Sequence, residues 1–185
     1  MAVALWLPMV GFGLVVLWKY AASPGRASEV SDWPLDAPIR RASDRSTLLM
    51  FAHPHCPCSR ASVGELAILM TRAQKDVSAR VLFYQPKSES AEWVRTDLWR
   101  SAAAIPGVEV LADPENAIAS RFGAFTSGQT LLFERNGRLM FRGGITAARG
   151  HSGDNAGRDA VLALLHGPQA PLQSTPVFGC SLRGE

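Results

Sequence analysis

The stretch that most constrains this chain is Thr47 to Glu65, TLLMFAHPHCPCSRASVGE. Leu48, Leu49, Met50 and Phe51 form an unbroken apolar run, which suits a short strand covered on both faces. Pro57 fits the first turn of a helix, where its missing N–H costs nothing, and the residues from Cys58 onward continue that helix to about Ala73. Cys56 therefore falls at or beside the helix N-cap. There the unpaired N–H groups and the helix dipole favour an anion, so a thiolate should form more readily at Cys56 than on a free cysteine, with His55 and Arg60 close by.

With 185 residues, 47% hydrophobic and 19% charged, the chain has room for one globular domain and an appendage. The net charge of +3 comes from scattered arginines and not from a basic stripe interleaved with aromatics, so nucleic acid is not an expected partner. Three cysteines are too few for a disulfide scaffold, and Cys56 and Cys58 are one residue apart, so they read as a site.

Met1 to Trp18 carries no charged side chain, and with Lys19 and Tyr20 the spacing predicts a transmembrane anchor over residues 1–20. The missing basic n-region and cleavage site disfavour a signal peptide. The basic residues after the span, Lys19, Arg26, Arg40 and Arg41, would place the domain in the cytoplasm. Disulfide exchange belongs to oxidising compartments, and that chemistry sets the expectation: single-pass in the cytoplasmic membrane, with the domain on the periplasmic or extracytoplasmic side. Residues 21–46, with Ser23, Pro24, Gly25, Pro34 and Pro38, read as a polar linker.

Residues 47–167 read as the folded domain. Its expected elements after the first helix are a strand from Ala79 to Tyr84, a helix from Ser90 to Ala104, a strand from Val108 to Leu111 and a short helix from Pro114 to about Phe122. A hairpin at Asn136-Gly137 and a helix from Ala156 to His166 follow. Asp154 or Asn155 is the expected N-cap of that last helix, and Gly167 its end. Leu66, Leu69 and Met70 form the buried face of the first helix, while Trp93 and Trp99 read as packing residues. The order gives an α/β fold, a mixed sheet flanked by helices on both sides. Residues 168–185 form a tail carrying Cys180.

A strand that delivers a cysteine to a helix N-terminus resembles the thioredoxin fold, and VEVLADPENAIASRFGA resembles the segment inserted before the final hairpin in its TlpA and peroxiredoxin-like branch. The chain is also similar to the RedB group of membrane-anchored bacterial proteins. The resemblance implies a three-layer thioredoxin-like domain that exchanges disulfides with protein thiols. Cys56 matches the first cysteine of the C-x-x-C motif, but Ser59 stands at the second and Cys58 one residue early. The family's substrate-holding loop before the hairpin falls on Thr126, Ser127 and Gly128, where no proline is present. The peroxidase pattern P-x-x-x-T/S-x-x-C is absent before Cys56.

The expected catalytic residues are Cys56, Cys58 and Cys180, and no cofactor is expected. The alternative is a copper or zinc module without catalysis, held by His55, Cys56, Cys58 and His151 within and beyond the HPHCPC cluster. It resembles the Sco copper-handling branch, whose histidine position falls near Gln129. For His53 and His55 singly, tuning of the thiol or plain exposure outweighs ligation. The loop GGITAARGHSGDNAG matches no phosphate-binding spacing and reads as a connection carrying His151 towards the sheet edge. A bridge between Cys56 and Cys58 would close a small, strained ring. About 13 residues separate Gly167 from Cys180, roughly 40 Å when extended, so Cys180 has the reach to serve as resolving thiol or third ligand, with Val177 and Phe178 as an apolar anchor.

Overall fold

The computed structural model describes residues 2–167 and 173–182. At its centre is β1 (Ser46–Ala52), buried from Thr47 onward. Side chains alternate across a strand, and both faces of this one meet apolar neighbours. Leu48 and Met50 join one core with Leu66, Leu69, Val81, Phe83, Phe141 and Val161. Leu49 and Phe51 join a second core with Leu82, Phe122, Leu131, Phe133 and Leu182. Two cores on either side of one sheet are why the apolar run is unbroken.

The flanking elements are α1 (Ala2–Ala22), α2 (Ser59–Ala73), β2 (Val77–Gln85), α3 (Ala91–Val94), α4 (Asp97–Ala103), β3 (Val108–Pro114), α5 (Ala117–Arg121), β4 (Gln129–Phe133), β5 (Leu139–Gly143), α6 (Ala156–His166) and β6 (Gln173–Ser174). The sheet order is β3-β2-β1-β4-β5-β6. β1 runs parallel to β2 and antiparallel to β4; β2 and β3 are parallel, β4 and β5 antiparallel. That order and polarity make the sheet thioredoxin-like, with β6 added parallel to β5 at its edge.

The helix expected from Pro57 begins two residues later: Cys58 takes the cap position, and Ser59 N–H reaches back to the Cys56 carbonyl at 3.2 Å. The single helix expected over Ser90 to Ala104 is two. Thr96 takes an extended conformation and its hydroxyl accepts the Trp99 N–H, starting α4 anew. The strand expected to end at Leu111 runs to Pro114 beside β2. The buried Asp113 carboxylate then receives the N–H groups of Ile118 and Ala119, at 2.7 and 2.8 Å, and so caps α5 from a distance. Asn136-Gly137 turns as expected, with Gly137 at φ +97. Asn155 caps α6 by accepting Arg158 N–H.

Residues 21–46 do not hang free as a spacer. Gly25 pairs with Val177, Ser28 N–H donates to the Gln129 side chain at 3.0 Å, and Trp33 packs edge-on against Phe122 and Phe133. Among the described residues no helix is long and apolar enough to cross a membrane, so the transmembrane reading of residues 1–20 is not supported. Along α1, Trp6, Phe12, Leu17 and Trp18 are exposed.

One charged group lies inside the face that α2 turns to the core. Glu65, fully buried, receives Arg158 at 2.6 Å and also the Gly153 N–H and the Asn155 amide. This pins the 146–155 loop between α2 and α6. Replacing Glu65 by Gln leaves the buried Arg158 charge with only the exposed carboxylates of Asp154 and Asp159 as partners, and an equilibrium destabilisation of about 2 kcal/mol is expected in denaturant titration. A change under about 1 kcal/mol would contradict this account.

Candidate active site

β1 ends at Ala52, and the chain turns through His53, Pro54 and His55 before α2. The Cys56 N–H closes that turn on the His53 carbonyl at 3.1 Å. Cys56 is buried, with Cys58 and Cys180 partly exposed. The tail returns to this loop across the whole domain: Cys180 Sγ lies 2.8 Å from Cys56 Sγ, although the residues are 124 apart in sequence. All three sulfurs fall within 4.8 Å of one another.

Backbone pairing holds the tail there. Ser127 N–H donates to the Cys180 carbonyl and Leu182 N–H to the Phe125 carbonyl, each at 2.8 Å, and Thr126 bridges Ser181. The Asn116 amide donates to the Leu182 carbonyl at 3.0 Å, and Val177 and Leu182 are buried. The apolar anchors are therefore Val177 and Leu182, whereas Phe178 is only half-buried. Gly179 lies so close to the Ser127 carbonyl that any side chain would collide with it. The loop expected to hold a substrate backbone, Thr126-Ser127-Gly128, thus already holds the protein's own tail.

The Ser127 hydroxyl accepts the His53 N–H at 2.7 Å and lies 2.6 Å from the Ser59 hydroxyl. A Ser127 that donates to Ser59 leaves the Ser59 proton free for the Cys56 sulfur. Burial pushes the Cys56 thiol up, but hydrogen bonds from the Cys180 thiol, the Ser59 hydroxyl and the N–H groups of both residues outweigh it, and the net shift is down. The Ser59 and Cys180 side chains therefore add to the lowering expected from the helix N-terminus. Burial, the bond to Cys56 and the neighbouring thiolate charges push Cys180 up to about 12. Burial and the charge on Cys56 also raise Cys58, against the pull of Arg149. Ser59→Ala is expected to move the pH midpoint of Cys56 alkylation upward, because the thiolate loses a donor. An unmoved midpoint, measured with a small alkylating reagent, would remove Ser59 from this account.

Arg149 has no signal in the sequence beyond its place in a Gly-rich loop. Its guanidinium contacts the Gly179 carbonyl and donates to the Tyr20 carbonyl, so it ties the tail to the end of α1 beside the sulfurs. His151, on the same loop, is exposed, with its ring 3.0 Å from the Arg149 carbonyl. His55 is also exposed and packs edge-on against Trp93, with ring centroids 4.4 Å apart. Neither histidine joins the sulfur cluster among the described residues. His53 packs on Tyr84 and Trp93, and burial, then its neighbour His55, shifts its imidazole down from the usual histidine range. Gln129 is buried, with its carbonyl accepting the Ser28 N–H. A cavity of about 250 Å³ opens beside Cys56, lined by Pro54, Pro57, Arg60, Thr96 and Leu98 among others.

No protein-family model matches the sequence, and no curated protein does. Among solved structures, the chain is similar to an uncharacterized conserved protein from Geobacillus kaustophilus, at 20% identity and a TM-score of 0.64, covering 89% of this chain and 92% of that one. It is similar also to a hypothetical protein from Sinorhizobium meliloti 1021, at 18% identity and 0.63, covering 85% and 97%. A looser likeness, at 17% identity and 0.49 over 66% of this chain and 84% of the other, is to the exposed lipoprotein thioredoxin of Streptococcus pneumoniae. At this level of identity the first two likenesses show a shared fold.

Proposed function

We propose that the protein is a thiol–disulfide oxidoreductase acting on protein thiols or disulfides, and that its redox pair is Cys56 and Cys180. The observation that carries this is the 2.8 Å approach of the two sulfurs, held from both sides by backbone hydrogen bonds. In the reducing direction the Cys56 thiolate attacks a sulfur of the partner's disulfide, forming a mixed disulfide and expelling the partner's other sulfur as a thiolate. While Cys56 is anionic, its charge and hydrogen bond hold the proton on Cys180. Once Cys56 is capped that charge is gone, and Cys180 gives its proton towards the leaving sulfur as it attacks the Cys56 sulfur. The partner's second sulfur leaves as a thiol, the partner has gained two electrons, and Cys56 and Cys180 are joined. The oxidising direction is the reverse.

Because the tail fills the 125–128 edge, the partner approaches Cys56 from the cavity beside Pro54 and Arg60. Cys58, the third thiol, is not needed for this exchange. The domain works outside the cytoplasmic membrane, to which the exposed apolar side chains of α1 attach it.

The test is a trap. Cys180→Ser should leave Cys56 able to attack but unable to resolve, so a mixed disulfide through Cys56 accumulates and is released by a reducing agent. Turnover with a protein disulfide at the wild-type rate, with no trapped species, would overturn the pairing. For the placement, a reporter that is active only in an oxidising compartment, fused after Glu185, should be active, and removal of residues 1–20 should release the domain from the membrane fraction.

A further inference from the structure

Exchange between Cys56 and Cys180 leaves Cys58 without a task, yet its sulfur shares the 4.8 Å cluster with both. The cluster has three sulfur donors, and among the described residues no imidazole or carboxylate lies with them. Hard cations need oxygen ligands, while thiolates select soft ions. A closed structural zinc site takes four donors, and three are present here. Arg149, beside Cys58 and with a hydrogen bond to Gly179 of the tail, supplies a positive charge against the negative charge of gathered thiolates.

We propose that, in the reduced protein, Cys56, Cys58 and Cys180 form a three-sulfur site for a soft, thiophilic metal ion, best fitted by copper(I). Sulfurs bound to one ion at ~2.3 Å sit ~3.8 Å apart. Cys56 and Cys180 therefore separate by ~1 Å on binding, which side-chain rotation supplies without moving the paired tail backbone. Cys58 and Cys180 are partly exposed, so the ion enters from solvent while Cys56 closes the buried side.

The site is also redox-gated, and this part alone rests on the proposed exchange chemistry. When a disulfide substrate oxidises the loaded protein, its S–S bond breaks and the Cys56–Cys180 bond forms. Two electrons pass to the substrate, whose sulfurs take two protons from water as they become thiols. Two of the three donors are then joined to each other and the ion leaves. One loop thus serves either metal retention or disulfide exchange, according to its oxidation state.

The experiment uses the full chain, anaerobically reduced, titrated with copper(I) in competition with a chromogenic copper(I) chelator. One equivalent is expected to be retained, and X-ray absorption should count three sulfur neighbours. Cys58→Ser and Cys180→Ser should each lower affinity by at least tenfold, with unchanged circular dichroism as the check on folding. His55→Ala and His151→Ala should bind like the wild type, and oxidised protein should retain no copper. Absence of retention by reduced protein, a nitrogen among the ligands, or an unaffected Cys58→Ser variant would overturn the site. Displacement of bound copper(I) by zinc would overturn the choice of ion. Copper held equally by oxidised protein would overturn the gating. Exchange activity measured on metal-free protein reads the oxidoreductase proposal separately, so a failure there leaves the metal result standing.

Discussion

Cys56→Ser is expected to reduce disulfide exchange to the uncatalysed background, a loss on the order of 10³-fold or more. Serine fills the same space and keeps a hydrogen-bonding oxygen, so the tail should stay paired with residues 125–127. It removes the one sulfur whose thiolate is stabilised by Ser59 and Cys180 together. Neither remaining thiol is a ready substitute, since burial, the first cause that raises each of them, persists in this variant. Rates should be measured on a protein disulfide, with Cys180→Ser alongside, and the two variants should fail differently. Cys56→Ser should form no mixed disulfide at all, while Cys180→Ser stops after the first step. Activity of Cys56→Ser within tenfold of wild type would mean that the nucleophile is elsewhere.

Joining Cys56 to Cys180 is expected to stabilise the fold by about 5 kcal/mol, because the bridge closes a loop of more than a hundred residues and restricts the unfolded chain accordingly. For a domain of this size that corresponds to roughly 10–20 °C in the unfolding midpoint. Oxidised and reduced protein should be compared by thermal unfolding. Cys180→Ser should show no difference between the two conditions, whereas Cys58→Ser should keep it. A gap below about 2 °C for the wild type would mean that the native geometry resists the bond, or that another pair forms.

The strand and the two cores around it were legible because their signals are local. The run Leu48 to Phe51 needs cover on both faces, Asn136-Gly137 dictates a turn, and Asn155 is a good cap wherever a helix follows. The break at Thr96 was not legible, because the apolar stripe from Val94 to Ile105 is continuous and only the hydroxyl's bonds to Trp99 N–H and the Pro54 carbonyl show the new start. Residues 21–46 read as a linker because the partners of Gly25, Ser28 and Trp33, namely Val177, Gln129 and Gly137, lie about a hundred residues away or more. At the site, Cys56 stands out by position in the sequence. Cys180 was raised from chain reach alone, and what fixes it is backbone pairing that no side chain announces. Arg149 carries no motif, and His151, two residues on, drew attention to the wrong member of that loop.

The docking of the tail also sets an order of events during synthesis. Cys56 and Cys58 emerge early, with the first strand and helix, and for more than a hundred residues each is the other's nearest thiol. The strained pairing between them is the only local one, and it is readily undone by exchange. Only when the last strands exist and residues 180–182 have laid themselves along 125–127 does Cys180 arrive to take Cys56 away. A nascent chain is therefore chemically unfinished at its first cysteine until its final turn is placed, and maturation of the thiol site is a readout of completed folding.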